Sequence, residues 1–315
     1  MNEPLFLAPV FHEKLWGGQK LNTKFNLQSP FKKTGEAWLI SAHKDGCCLI
    51  KNGLFANQRL DFVWEKYPQL FGYPKEEKFP LLVKLIDAQD DLSVQVHPDD
   101  AYAWEHEGES GKTECWYILE AEESAEIIYG HNAQTKEEFI SRINNGEWET
   151  LLRKVPVAKG EFYYVPTGTV HAIGKGCLII EVQQSSNSTY RLYDYNRKNK
   201  KGELRDIHLK QSLDVVKIPS VDYKTACEAQ RDDGVISLVK GVYFNVDKVC
   251  VNGRVPVSRG ESPYQLVVIM KGSGSLLIDS NRYDLNAGDS LIIPNTIMEW
   301  MAEGELEILI AVCKV

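Results

Sequence analysis

The run Leu92-Ser-Val-Gln-Val-His97 alternates apolar and polar side chains. In a strand, Leu92, Val94 and Val96 face one way, and Ser93, Gln95 and His97 face the other. A barrel strand puts one set into the wall and the other into the lumen, and a polar lumen row carrying an imidazole is what a metal site needs. A second histidine closes Gly160-Glu-Phe-Tyr-Tyr-Val-Pro166-Thr-Gly168-Thr-Val-His171, a frame of the form G-x5-P-x-G-x2-H, and Glu114 opens a further strand-like run. Two imidazoles (His97, His171), one carboxylate (Glu114) and one amide oxygen (Gln95) suit a divalent first-row metal. Zinc comes first, at about one ion per chain, with a coordination position left open for water or a substrate oxygen. A histidine without such a frame is read as an ordinary hydrogen-bonded side chain. His12, His43, His106, His131 and His208 fall in that class, as surface or structural residues.

The elements that must position these groups are short strands. Strand-like runs cover Phe79–Ala88, Leu92–His97, Glu114–Leu119, Glu161–Val165, Cys177–Gln184, Gln265–Met270, Leu276–Asp279, Ser290–Ile293 and Leu306–Val312, punctuated by Gly, Asn, Asp and Pro. Many short strands at close spacing predict an antiparallel barrel or sandwich. Helical patterns are few: Asn57–Phe71, a Thr135-capped segment from Lys136 to about Asn145, and Arg205–Val216. A polar connector over Ser220–Asp233 precedes an all-β stretch, which divides the chain into residues 1–232 and 233–315.

The second part repeats the first. Gly288-Asp-Ser-Leu-Ile-Ile-Pro294-Asn-Thr296-Ile-Met-Glu299 keeps the frame but carries Thr296 for the glycine and Glu299 for the histidine. Gln265 stands where the first copy has Glu114, and residues 255–264 contain no histidine. Two copies of one barrel are therefore expected. The first binds metal, and the second is a metal-free structural or oligomerisation domain.

The G-x5-P-x-G-x2-H frame is similar to the second half-motif of the cupin family. With Leu92-Ser-Val-Gln-Val-His-Pro-Asp99 and Glu181-Val-Gln-Gln-Ser-Ser-Asn-Ser-Thr-Tyr-Arg191, the chain resembles type I mannose-6-phosphate isomerases. Trp16-Gly17-Gly18, Gly35-Glu36-Ala37-Trp38 and Lys84-Leu-Ile-Asp-Ala88 extend the likeness over nearly the whole length. It is closest to the short bacterial form, without a large helical insertion. The resemblance implies a mainly β fold of two jelly-roll cupin barrels, with a few helices attached to the catalytic N-terminal part. It also implies interconversion of mannose 6-phosphate and fructose 6-phosphate through an enediol. Arg191 matches an active-site position of the family, and Lys112 and Glu181 match positions in its pocket.

No Gly-rich phosphate cradle is present, and Gly272-Ser-Gly274 reads as a hairpin with the wrong spacing. Phosphate is then held by side chains. Lys112 lies two residues before Glu114, on the same side of an extended strand, and Arg191 and Arg197 offer bidentate guanidinium groups. Glu181 is the first candidate for the base that moves the C2 proton, assisted by Arg191, with Lys112 next. The alternative role for Glu181 is to orient Arg191 through an ion pair.

A net charge of −8 argues against nucleic acid and anionic membranes as partners. Residues Met1–Pro4 show no basic n-region before an apolar stretch, and no apolar run is long enough to span a bilayer. The seven cysteines include no C-x-x-C pair. Reduced thiols in a cytoplasmic protein are expected. Two rival readings remain on the residues alone. One is a non-haem iron oxygenase using His97, Glu114 and His171, and the other is a silent two-barrel binding protein.

Overall fold

Strand Glu114–Glu120 has both faces covered. Glu114, Trp116 and Ile118 share one side and Cys115, Tyr117 and Leu119 the other, as a two-residue period requires, and all six are buried. The computed structural model, which describes residues 2–198, 202–221, 223 and 234–314, shows what covers each side.

Toward the first side lies a sandwich of two antiparallel sheets. One runs in the order Phe162–Val165, Glu114–Glu120, Leu178–Gln184, Leu81–Asp87, Thr34–Ile40 and Val10–Gly18. The other runs Leu152–Pro156, Glu126–His131, His171–Ile173, Val94–Val96 and Tyr190–Tyr193. Ile86, Trp116, Ile118 and Ile179 from the first sheet meet Ile127, Tyr129 and Ile173 from the second in one apolar cluster. That cluster makes the floor of the barrel rigid, because close-packed interiors do not deform smoothly.

Toward the second side lies the C-terminal barrel. Its sheet orders Gly234–Lys240, Phe244–Ser258, Glu299–Cys313, Gln265–Ile278, Ser290–Ile293, Leu5–Ala8 and Leu49–Ile50, with Asn281–Asn286 paired to Gln265–Ile278. Cys115, Tyr117 and Leu119 pack with Leu266, Val268, Leu309 and Ala311 in one cluster shared by the two barrels. Lys248 reinforces it by donating to the Tyr117 hydroxyl at 2.9 Å. Leu5–Ala8, from the start of the chain, pairs with Ser290–Ile293. These first residues thus belong to the sheet of the C-terminal barrel.

The mainly β, two-barrel architecture with few helices is the expected one; local differences have physical causes. The expected hairpin at Gly272–Gly274 is instead the middle of one strand, Gln265–Ile278. Its glycines let two backbones approach: a Cβ on Gly274 would sit 2.1 Å from the Glu303 carbonyl oxygen. The helical run expected over Asn57–Phe71 is helix Leu60–Lys66 followed by a tight turn Pro68–Phe71, since a residue preceding proline is excluded from α geometry. Thr135 caps Lys136–Asn144 as expected, accepting from the Glu138 N–H at 3.2 Å. The third helix is shorter than read, Leu209–Val215. Most of the expected connector lies outside the described residues. Among the described residues, no helix is long and apolar enough to cross a membrane.

Candidate metal centre

Strand register builds the site. Across the smaller sheet, Tyr129, His171, Gln95 and Arg191 are successive cross-strand partners, so their side chains share the lumen face. Across the larger sheet, Trp116, Glu181, Lys84 and Trp38 form a second such row, and Glu114 pairs with Gln183 beside it. The two rows face each other above the apolar floor.

His97, Glu114 and His171 are fully buried, and their ligand atoms lie within 4.8 Å of one another. His97 Nε2 is 3.3 Å from Glu114 Oε2, and His171 Nε2 is 3.3 Å from Glu114 Oε1. The other ring nitrogens are tied down. His97 Nδ1 donates to the Ser188 carbonyl and His171 Nδ1 to the Thr169 carbonyl, both at 2.9 Å. A carbonyl can only accept, so each Nδ1 carries the hydrogen and each Nε2 turns a lone pair toward the carboxylate. This donor set fits a divalent metal. The turn that delivers His171 is also fastened to His97, since the Gly168 N–H donates to the His97 carbonyl at 2.9 Å and Gly168 has φ +81, where a side chain is strained.

Gln95 lies beside this group, with Nε2 3.3 Å from His171 Nε2; turning the amide over presents Oε1 instead. Lys112 Nζ is 2.6 Å from Glu114 Oε2 and 3.1 Å from His97 Nε2. Burial alone would raise the Glu114 pKa, but the Lys112 ammonium beside it holds it well below the usual range. Burial, then Lys112, lowers His97 to about 3, and burial lowers His171. Both imidazoles are therefore neutral, as ligands must be.

Glu181 is brought to the site, 97% covered, and both its oxygens are engaged. Oε1 accepts from Lys84 Nζ at 2.9 Å, and Oε2 accepts from Trp116 Nε1 at 3.1 Å. The Trp116 indole also reaches Glu114 Oε1 at 3.1 Å, linking the two carboxylates. The ion pair considered between Glu181 and Arg191 does not form. Arg191 instead donates from Nη1 to the Asp206 carbonyl at 2.7 Å, and its backbone N–H donates to His208 Nδ1 at 3.1 Å. Its Nε is buried without a partner. Arg197 is not brought to the site: its guanidinium is bound to Asp194 at 2.6 Å and to the Asp91 carbonyl.

Lys84, Glu36 and Trp38 entered the sequence analysis only as parts of the family likeness, with no role in the site. Lys84 is the chief of them, and its further signal was a lone lysine inside the apolar run Leu81–Asp87. Burial would lower its pKa, but the Glu181 and Glu36 carboxylates outweigh that and raise it. Its ammonium lies 5.4 Å from the Trp38 ring centre. Glu36 accepts from Trp38 Nε1 at 2.7 Å and pairs with Lys14 at 3.0 Å. His43, read as surface or structural, is buried and lies 3.5 Å from Glu109.

The second barrel is built differently. Gln265 accepts from Trp300 Nε1 at 3.0 Å and donates to the Ser258 carbonyl at 3.1 Å, inside an apolar cluster that includes Val267, Ile269, Leu291 and Trp300. Glu299, at the position of His171, is exposed.

Fold and donor set together define a double-barrel cupin whose first barrel carries a His–Glu–His group able to hold a metal ion. Comparison with known proteins narrows the class. A family model described as "Phosphomannose isomerase type I, catalytic domain" matches residues 5–120, and one described as "Mannose-6-phosphate isomerase, cupin domain" matches residues 235–313. The chain is 48% identical to mannose-6-phosphate isomerase of Streptococcus mutans over 310 residues, covering 98% of each. It is 44% identical to mannose-6-phosphate isomerase ManA of Bacillus subtilis, again covering 98% of each. The crystal structure of a mannose 6-phosphate isomerase from Bacillus subtilis superposes with a TM-score of 0.94 at 40% identity, covering 98% of this chain and 99% of that one. The chain belongs to the type I mannose-6-phosphate isomerase family.

Proposed function

We propose that the protein interconverts mannose 6-phosphate and fructose 6-phosphate, with zinc held by Gln95, His97, Glu114 and His171. The observation that carries this reading is the buried His–Glu–His group with the cations Lys84 and Lys112 beside it and Arg191 on the facing sheet. Cations around a lumen, in a chain of net charge −8, suit an anionic sugar better than a neutral one. A zinc ion in this set supplies Lewis-acid polarisation of a sugar oxygen.

The rest falls to the chain itself. Isomerisation moves a proton from C2 to C1 of the open-chain sugar, through an enediolate. Glu114 belongs to the proposed ligand set and accepts from Lys112 and Trp116, and Glu36 is committed to Lys14 and Trp38. Glu181 is the lumen carboxylate left to carry the proton. Trp116 and Lys84 fix its orientation, as a general base requires. Lys84, kept charged by its carboxylate neighbours, acts as a fixed cation facing the developing oxyanion. Arg191, with a free buried Nε at the lumen edge, and Lys112 receive phosphate. The apolar floor keeps water from the enediolate.

The test is conversion of mannose 6-phosphate to fructose 6-phosphate in a coupled assay, run with an oxygen electrode in parallel. Turnover without oxygen uptake is expected. Oxygen uptake without isomerisation would replace this reading with the oxygenase.

A further inference from the structure

The His97 ring depends on a carbonyl that no strand holds. Ser188, whose carbonyl accepts from His97 Nδ1 at 2.9 Å, lies in the link between strands Leu178–Gln184 and Tyr190–Tyr193, outside both ladders. A strand partner would fix such a carbonyl through its register. Here another device is required.

Gln183 Nε2 donates to the Ser186 carbonyl at 2.7 Å and Asn187 Nδ2 to Asp45 at 3.0 Å, but the group that gathers the whole turn is one carboxylate, Glu109. Its Oε1 accepts from the Ser188 hydroxyl at 2.5 Å, the Ser186 hydroxyl at 3.2 Å and the Asn187 backbone N–H at 3.2 Å. Its Oε2 lies 3.5 Å from His43 Nε2. Three donors from three consecutive residues converge on a single oxygen. The Ser188 N–H also donates to the Ser186 hydroxyl at 3.2 Å, so the turn closes on itself around that oxygen. Glu109 stands three residues before Lys112 and five before Glu114. The segment that clamps the Ser186–Ser188 turn is thus the one that feeds two of the site's charged groups into the lumen.

We infer that Glu109 is a positioning residue for the metal centre: by holding the Ser186–Ser188 turn, it fixes the carbonyl that sets the His97 tautomer and ring direction. Glu109 itself touches neither metal ligand nor substrate. It acts through Ser188, as outer-shell partners of ligating histidines do, where a single substitution typically costs about 10- to 100-fold in metal affinity. The inference rests on the reading that His97 ligates a metal.

The test is zinc affinity, measured on metal-free protein by competition with a chromophoric chelator, beside the melting temperature of the same metal-free samples. Glu109→Ala removes all four contacts, Glu109→Gln keeps an acceptor oxygen without the charge, and Ser188→Ala removes the tethering hydroxyl while leaving the carbonyl. The expected result is zinc binding weakened about 10- to 100-fold in Glu109→Ala and by less in the other two. If Glu109→Ala fails to fold, the ordering of Glu109→Gln and Ser188→Ala below wild type decides. Affinity within twofold of wild type in every folded variant, whatever the melting temperature, overturns the positioning role. Absence of zinc binding by the wild type would overturn the metal reading itself, and this inference with it.

Discussion

Replacing Lys84 with methionine should destabilise the protein out of proportion to the atoms lost. The Lys84–Glu181 pair spans 2.9 Å, with side chains only 6% and 4% exposed. Removing the ammonium leaves a buried carboxylate with Trp116 Nε1 as its one hydrogen-bond donor. Breaking a buried pair from one side costs about 3–5 kcal/mol. The opposite deletion, Glu181→Gln, should cost less, roughly 1–3 kcal/mol, because Lys84 still faces the Glu36 carboxylate and Gln can still accept from Trp116. In the double variant no unpaired carboxylate remains at position 181. Its loss should therefore fall short of the summed single losses by about 1.5–3 kcal/mol. Urea unfolding of metal-free protein at fixed ionic strength measures all three. Additivity within about 0.5 kcal/mol would refute the reasoning, since groups that do not interact add.

Acid titration gives a second check. Burial would raise the Glu36 pKa, but Lys14, then Lys84 and the Trp38 indole, bring it to about 2 from 4.5. A depressed folded pKa means that the unfolded chain binds more protons between those values. The stability from Glu36 is therefore present above pH 4.5 and lost as pH falls toward 2; Glu36→Gln should flatten that limb and lower neutral-pH stability by about 3 kcal/mol. Arg191→Ala should abolish turnover while zinc content stays at the wild-type level; equal loss of both would make the residue structural. Gly304, at φ +128, would place a Cβ 2.7 Å from the Gly274 Cα, so Gly304→Ala should lower the melting temperature, at a cost of about 2 kcal/mol or more, with zinc stoichiometry unchanged.

The His97, Glu114 and His171 side chains were legible in the sequence as a group because their signals are local. The alternation around His97 and the Pro166–Gly168 turn before His171 each occupy a dozen residues or fewer, and a backbone bond from Gly168 to His97 joins them directly. What stayed hidden depends on partners far along the chain. Lys84 acquires its meaning from Glu181, 97 residues away, and Glu109 from Ser188, 79 residues away. Leu5–Ala8 reads as an ordinary apolar start, and nothing near it announces pairing with Ser290–Ile293. The glycines at 272 and 274 were misread because glycine marks both turns and close backbone approaches, and only the partner strand tells them apart. Glu181 was recognised, but its choice of Lys84 over Arg191 follows from cross-strand register, which a single sequence does not print.

In the proposed reaction, isomerisation takes place at the His97–Glu114–His171 group and depends on an ion bound there. Zinc titrated into metal-free wild-type protein, with bound metal and mannose 6-phosphate turnover measured on the same samples, tests it most directly. Turnover should rise in proportion to occupancy up to about one zinc per chain, as a single such donor set provides, with His97→Ala and His171→Ala inert at the same zinc concentrations. Full turnover at zero bound zinc, or wild-type turnover and zinc content in the two histidine variants, would contradict it.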